Sequence, residues 1–170
     1  MAVRPDLFRQ AMGTFATGVT IVAWCRDDGT PAGMTVNALT SVSLEPTLLL
    51  FCIDRQAESH AELRAAARVA VNVLAAEQEA LSRRFASKSL GPAERFRGVE
   101  WDRSPSGVPL LRGALAHLDG RIVQREEVGD HSIFLVEPEA VHVQGGRPLL
   151  FYRGTYGDWA ARPAGRLSSG

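Results

Sequence analysis

The sequence predicts a mainly β domain whose strands close into a barrel, and three observations carry that reading. Short segments rich in β-branched and aromatic residues recur at 19–25, 47–53, 69–74 and 131–143. Only three short stretches between them show helical periodicity, too few for a parallel sheet with a crossover helix after every strand. No GxGxxG, GxxxxGKS or GxxxxGKT follows a strand, so the glycine-rich phosphate loops of doubly wound sheets are missing.

The elements follow in chain order. In "RPDLFRQAMGTFATG", Phe8, Ala11, Met12 and Phe15 fall at i, i+3, i+4 and i+7, which predicts an amphipathic helix closed near Gly18. "VTIVAWC" (19–25) is a strand, and "RDDGTP" supplies the Asp-Gly turn of a hairpin whose second strand begins at about Ala32. A third strand covers 47–53, after which Ser59 and Glu62 stand in capping-box spacing at the start of a short helix. "VAVNVL" (69–74) is a fourth strand. Glu77, Leu81 and Phe85 share one face of a further helix that ends close to Ser87 and Lys88. Residues 88–112, with Gly91, Pro92, Gly98, Pro105, Gly107 and Pro109, read as a long loop anchored by Phe96, Val99 and Trp101. Strands at 114–126, 131–143 and 148–153 complete a set of six or seven. One domain is expected over 1–161, and the Gly/Ser/Pro-rich end from Arg162 to Gly170 is expected to be disordered.

Composition narrows the function classes. Lys+Arg and Asp+Glu are equal at 19 each, so no net positive field recruits nucleic acid. The longest apolar run, around 47–53, is far short of the ~20 residues of a membrane span. Without a signal-peptide h-region at the N-terminus, a cytoplasmic protein is expected. Cys25 and Cys52 lie in separate apolar strands and read as core residues rather than a CxxC site. His117 and His142 sit inside strands, His60 at a helix start, and no histidine pair has metal-ligand spacing, so no metal is predicted.

The run "GMTVNALTSVSLEP" (33–46) is the chemically unusual stretch. Thr35, Asn37, Thr40, Ser41 and Ser43 place short hydrogen-bonding side chains on both faces of what otherwise reads as a buried strand. That pattern suits a strand edge binding a planar, hydrogen-bond-rich ligand such as an isoalloxazine ring. On composition alone it suits, better still, a polar barrel edge whose hydroxyls cap turns. A phosphate would find hydroxyls and cations near Ser41, Ser59 and "RRFASK" (83–88). Arg83 and Arg84 also fit a solvated helix face, and Phe85 fits a core position.

"GMTVNALTSVSLEPTLLLFCIDR", "VAVNVLAAEQEALSRRFAS", "GVPLLRGALAHLDGRIV", "GDHSIFLVEPEAV" and "PLLFYRGTY", in that order, resemble the flavin reductase family that serves two-component monooxygenases, from about Phe8 to Trp159. The resemblance implies an FMN-binding split β-barrel, antiparallel and Greek-key-like, that forms homodimers. It implies NADH- or NADPH-dependent reduction of FMN or FAD, which then diffuses to a separate monooxygenase. Met34, Thr35, Val36, Asn37 and Ala38 would lie along the flavin ring, with Thr35 and Asn37 foremost, and Ser41 would face the ribityl or phosphate region. Asp54 and Arg55 match the ligand-edge loop, while Phe85, Ala86, Ser87 and Lys88 fall where the flavin phosphate or diphosphate is held. Gly129, Asp130 and His131 form a turn from which the imidazole would meet the nicotinamide or reduced flavin, making His131 the catalytic candidate. Tyr152, Arg153 and Tyr156 would border the nicotinamide pocket. A non-catalytic flavin carrier or sensor is the alternative reading.

Overall fold

The computed structural model describes residues 2–159, so the expected C-terminal tail lies outside the described residues. Three helices, α1 (Pro5–Gly13), α2 (His60–Ala65) and α3 (Glu79–Phe85), accompany twelve strand segments. These are β1 (Thr17–Gly18), β2 (Thr20–Cys25), β3 (Pro31–Val36), β4 (Leu39–Leu44), β5 (Thr47–Asp54), β6 (Arg68–Val73), β7 (Trp101–Arg103), β8 (Pro109–Leu111), β9 (Ala116–Val128), β10 (His131–Val143), β11 (Leu149–Tyr152) and β12 (Thr155–Asp158).

Seven strands form one antiparallel sheet in the order β3-β2-β6-β9-β10-β5-β4. β3 and β4 occupy its opposite edges, yet only Asn37 and Ala38 separate them in the chain. The three steps from Val36 to Leu39 span at most about 11 Å, so the sheet must curl until its edges meet. The result is the barrel that the composition of the segments predicts, closed at a seam of two residues. The polar run 33–46 is therefore two strands and a break, not one strand, because the chain crosses from one edge to the other inside it.

The apolar pattern separates two cores. Val22 and Trp24 of β2 point into the barrel with Phe51, Ile53, Val71, Phe134 and Val136, where Phe51 and Phe134 stack at 5.2 Å. Ile21 and Ala23, on the opposite face of β2, pack beneath Phe85, Phe96, Leu111 and Leu149. β2 is buried on both faces, which is why "IVAW" is apolar throughout instead of alternating.

The outer layer departs from expectation in four places. The 88–112 stretch contains the β7–β8 hairpin and a 3-10 turn at Glu94–Phe96, so it is a packed cover rather than a plain loop. Phe96 makes edge contacts with Phe85 at 4.9 Å and Trp101 at 6.1 Å. The final strand is a β11–β12 hairpin whose turn residues, Arg153 and Gly154, both have positive φ, as a type I′ turn requires. α1 closes at Gly13, where the Thr14 hydroxyl donates to the Ala11 carbonyl. The Ser59–Glu62 capping box does not form: Ser59 accepts from Arg95 and Glu62 pairs with Arg26. A buried guanidinium and an ion pair outcompete the local cap.

Candidate functional site

The seam sets the site. Cys52 N–H donates to the Ala38 carbonyl, which fixes the start of β4 beside the end of β5. Asp54 then pairs in register with His131 at the start of β10, and Arg55 N–H donates to the Asp130 carbonyl. Asn37, Ala38, Asp54 and the Gly129–His131 turn are thereby gathered at one rim of the barrel. β3 pairs only with β2 in the sheet, so alternate backbone groups over Met34–Val36 face away from it, as a ligand-binding edge requires.

A cavity of about 1050 Å³ opens at this seam, lined by Asn37, Ala38 and Leu39, by Thr17 and Phe151, and by α1 with Arg9 and Gln10. Its size stands at the upper end of the ~300–1,000 Å³ typical of small-molecule sites. The Asn37 side-chain amide donates to the Thr17 hydroxyl at 3.4 Å, and Arg153 N–H donates to the Gly13 carbonyl, tying β1, α1 and the β11–β12 turn around the opening. Arg153 and Gly154 also line it. The Arg153 guanidinium lies 5.4 Å above the Tyr152 ring.

His131 Nδ1 lies 2.7 Å from an Asp130 carboxylate oxygen. The carboxylate can only accept, so the proton sits on Nδ1 and Nε2 is left to face outward. That hydrogen bond holds the Asp130 carboxyl below the usual carboxylate range, and the positive charge of Arg9 adds to the effect. A second hollow of about 420 Å³ adjoins this turn, lined by Arg55, His60, Arg64, Glu127 and Asp130. Arg55 is already engaged there, with Glu127 at 3.1 Å and the Gly129 carbonyl at 3.4 Å. His60 shares a 2.8 Å hydrogen bond with Ser132 and meets the Phe134 ring edge-on.

The sequence-predicted residues divide by what their side chains touch. Asn37 and Ala38 face the cavity. Ser41, Asp54, Ala86 and Lys88 are exposed, and Lys88 forms no ion pair among the described residues. Thr35 is used internally: its hydroxyl donates to the Ser82 carbonyl, and Ser82 in turn bonds the Tyr156 hydroxyl at 2.9 Å. Arg83 covers the Tyr156 ring at 4.7 Å, so Tyr156 fastens β12 to α3. Val36, Ser59 and Phe85 are buried, and Met34 packs against the barrel core. Any ligand contact from 34–36 therefore runs through backbone. Ser87 lends its carbonyl to Arg95 and its hydroxyl to Ser89. Cys25 and Cys52 are half-buried, with the Cys25 thiol donating to the Gly107 carbonyl, so neither lies fully in a core.

Arg9, Gln10, Thr17 and Phe151 complete the cavity without having been singled out by sequence. Thr17 and Phe151 meet only through the β1–β11 pairing, which no local pattern announces. Among the described residues no three His, Cys, Asp or Glu side chains converge, and no helix is long and apolar enough to cross a membrane.

Two features fit a flavin: an open strand edge for the ring's heteroatoms and a cavity wide enough for a tricyclic system. Comparison with known proteins points the same way. Residues 12–160 match the family model described as a flavin reductase like domain. The chain is 39% identical over 156 residues to the reductase subunit HsaB of a flavin-dependent monooxygenase from Rhodococcus jostii, covering 91% of this chain and 78% of that protein. It is 42% identical to an NADH-dependent flavin reductase from a Rhodococcus species, covering 91% and 86% of the two chains. The structure of Streptomyces globisporus NADH:FAD oxidoreductase SgcE6, solved with NAD and FAD fragments, superposes with a TM-score of 0.85 at 38% identity, covering 94% of this chain and 97% of that one.

Proposed function

Because the chain belongs to the flavin reductase-like family, we propose that the seam cavity is where it works as an NAD(P)H-dependent flavin reductase that releases reduced FMN or FAD to a separate monooxygenase. The observation that carries the site assignment is that Asn37–Ala38, which join the open edge of β3 to β4, line the large seam cavity, while Ala38 is hydrogen-bonded to Cys52 and Asp54, two residues further along β5, pairs with His131. A bound flavin supplies the hydride acceptor, and the protein then needs no nucleophile.

The residues orient and polarise. Asn37 offers an amide to the ring's carbonyl and N–H edge, and Ala38 leaves room for the ring to approach the seam. His131, its Nδ1–H held by Asp130, keeps Nε2 free and would help orient a nicotinamide against the flavin. Arg9 and Arg153 stand where the phosphates of a dinucleotide can be met by guanidinium groups. Lys88 and Ser87 hold the flavin phosphate at the end of α3.

The second copy of the chain belongs to this reading. α1 buries none of its residues, leaving Phe8 and Met12 exposed, and Phe15 just beyond its end is 70% exposed. Helices are held in water chiefly by a covered apolar face. In a homodimer the partner copy covers that stripe, of which Met12 and Phe15 also line the cavity.

The test is oxidation of NADH and NADPH by the purified protein, followed at the nicotinamide absorbance with FMN, FAD or riboflavin added. Oxidation that depends on added flavin is expected. Flavin binding without oxidation by any pair would make the protein a carrier or sensor instead.

A further inference from the structure

Arg95 is the most buried cation of the outer layer, with its side chain 7% exposed. One terminal nitrogen donates to the Gly33 carbonyl at 3.0 Å and to the Ser59 hydroxyl at 3.2 Å. The other donates to the Ser87 carbonyl at 2.8 Å. Nε is buried with no hydrogen-bond partner. The nearest carboxylate, Glu58, is 3.8 Å away and mostly in water. Burial accordingly pushes the Arg95 guanidinium below its usual range. A cation this deep normally sits against a matched anion, since desolvating it alone is costly. Three neutral oxygens satisfy part of its hydrogen-bonding capacity and none of its charge.

The groups it grips are informative. Gly33 begins the stretch of β3 that runs to the seam, Ser59 precedes α2, and Ser87 follows α3 next to Lys88. Arg84 reinforces the same corner by donating to the carbonyls of Glu94, Arg95 and Arg97. We propose that Arg95 is a positioning residue for the phosphate end of the flavin: it fixes Ser87 and Lys88 at the end of α3 and supplies the buried positive charge that favours phosphorylated flavins over riboflavin. This deepens the reductase reading and rests on Ser87–Lys88 being the phosphate end of the site. Arg95 itself does not touch the ligand; it acts through the Ser87 backbone and through its field, which water screens weakly at that depth.

The experiment is a fluorescence-quenching titration of the full-length chain with FMN and with riboflavin, for wild type, Arg95→Lys, Arg95→Met and Lys88→Ala. Wild type is expected to prefer FMN. Arg95→Met is expected to weaken FMN binding about tenfold, the scale of one lost charge-assisted hydrogen bond, and to leave riboflavin within about twofold. Arg95→Lys, which keeps the charge and loses the fork, falls between them and carries the test if Arg95→Met does not fold. Equal weakening of both flavins, or of neither, overturns the positioning role. If Lys88→Ala weakens FMN selectively while the Arg95 variants do not, only Arg95 is misassigned. If wild type shows no FMN preference and Lys88→Ala changes nothing, the placement of the phosphate has failed, and the role of Arg95 with it.

Discussion

Asn37 and His131 are proposed to do different work, and single substitutions should separate them. His131→Ala is expected to lower kcat/KM for the nicotinamide by about 10–100-fold while flavin affinity stays within about twofold. Asn37→Ala is expected to weaken flavin binding by about tenfold with a smaller change in turnover of the bound complex. Steady-state kinetics alongside flavin titration reads both, and the opposite pattern would reverse the roles. These two residues were singled out because they stand in short motifs, "GMTVNA" and "GDH", that carry a family resemblance. Thr35, Phe85 and Tyr156 stand in equally recognisable stretches, yet their side chains serve the packing of α3. A motif records that a position matters without recording which atoms do the work. Arg95 gave no signal at all, since an arginine in a polar stretch becomes a buried cation only when distant segments fold over it.

Two glycines decide how closely elements approach. A Cβ on Gly33 would lie 3.0 Å from Phe85, 3.1 Å from Phe96 and 3.1 Å from the Val22 carbonyl. Gly33→Ala is expected to cost about 1–3 kcal/mol in urea denaturation, because two interlocked rings and a backbone atom must give way together. A Cβ on Gly120 would press into the Glu137 carbonyl and stand 2.8 Å from Pro138 Cα, beside the irregularity where β9 and β10 shift register. Gly120→Ala should therefore be the more damaging change, since backbone yields less readily than a side chain. If the proposed homodimer forms through the stripe of α1 and Phe15, Phe15→Asp is expected to convert it to monomers, read as halved mass by light scattering, while the circular dichroism of the barrel persists. Element type was legible wherever β-branched and aromatic residues clustered, as in β2, β5 and β6. The break at Asn37–Ala38 was not, because the polar alternation runs on across it and only the partners on either side differ.

For the molecule as a whole, Asp102, Asp130 and Glu139 all have carboxyls held below their usual range, chiefly by hydrogen bonds from Arg112, His131 and Arg68. Depressed folded-state values stabilise the fold above the ordinary carboxylate pKa, and that contribution is lost as pH falls through the depressed values. Stability is therefore expected to decline below about pH 4, more gently at high salt because these pairs are exposed, as a pH series of melting temperatures would show. Barrel closure was inferable from strand number and helix scarcity, but where the barrel closes was not. That location ties molecular recognition to the breathing of the whole sheet. The two residues joining β3 to β4 both seal the edges and line the cavity, so a flavin seated there binds only the sealed form. At a hundredfold excess over its dissociation constant it would shift the equilibrium by about 2.7 kcal/mol. Amide hydrogens of β3 and β4 should then exchange with solvent fastest in the free protein and slow first as flavin is added, so that loading is read at the strand edges before it is read in the core.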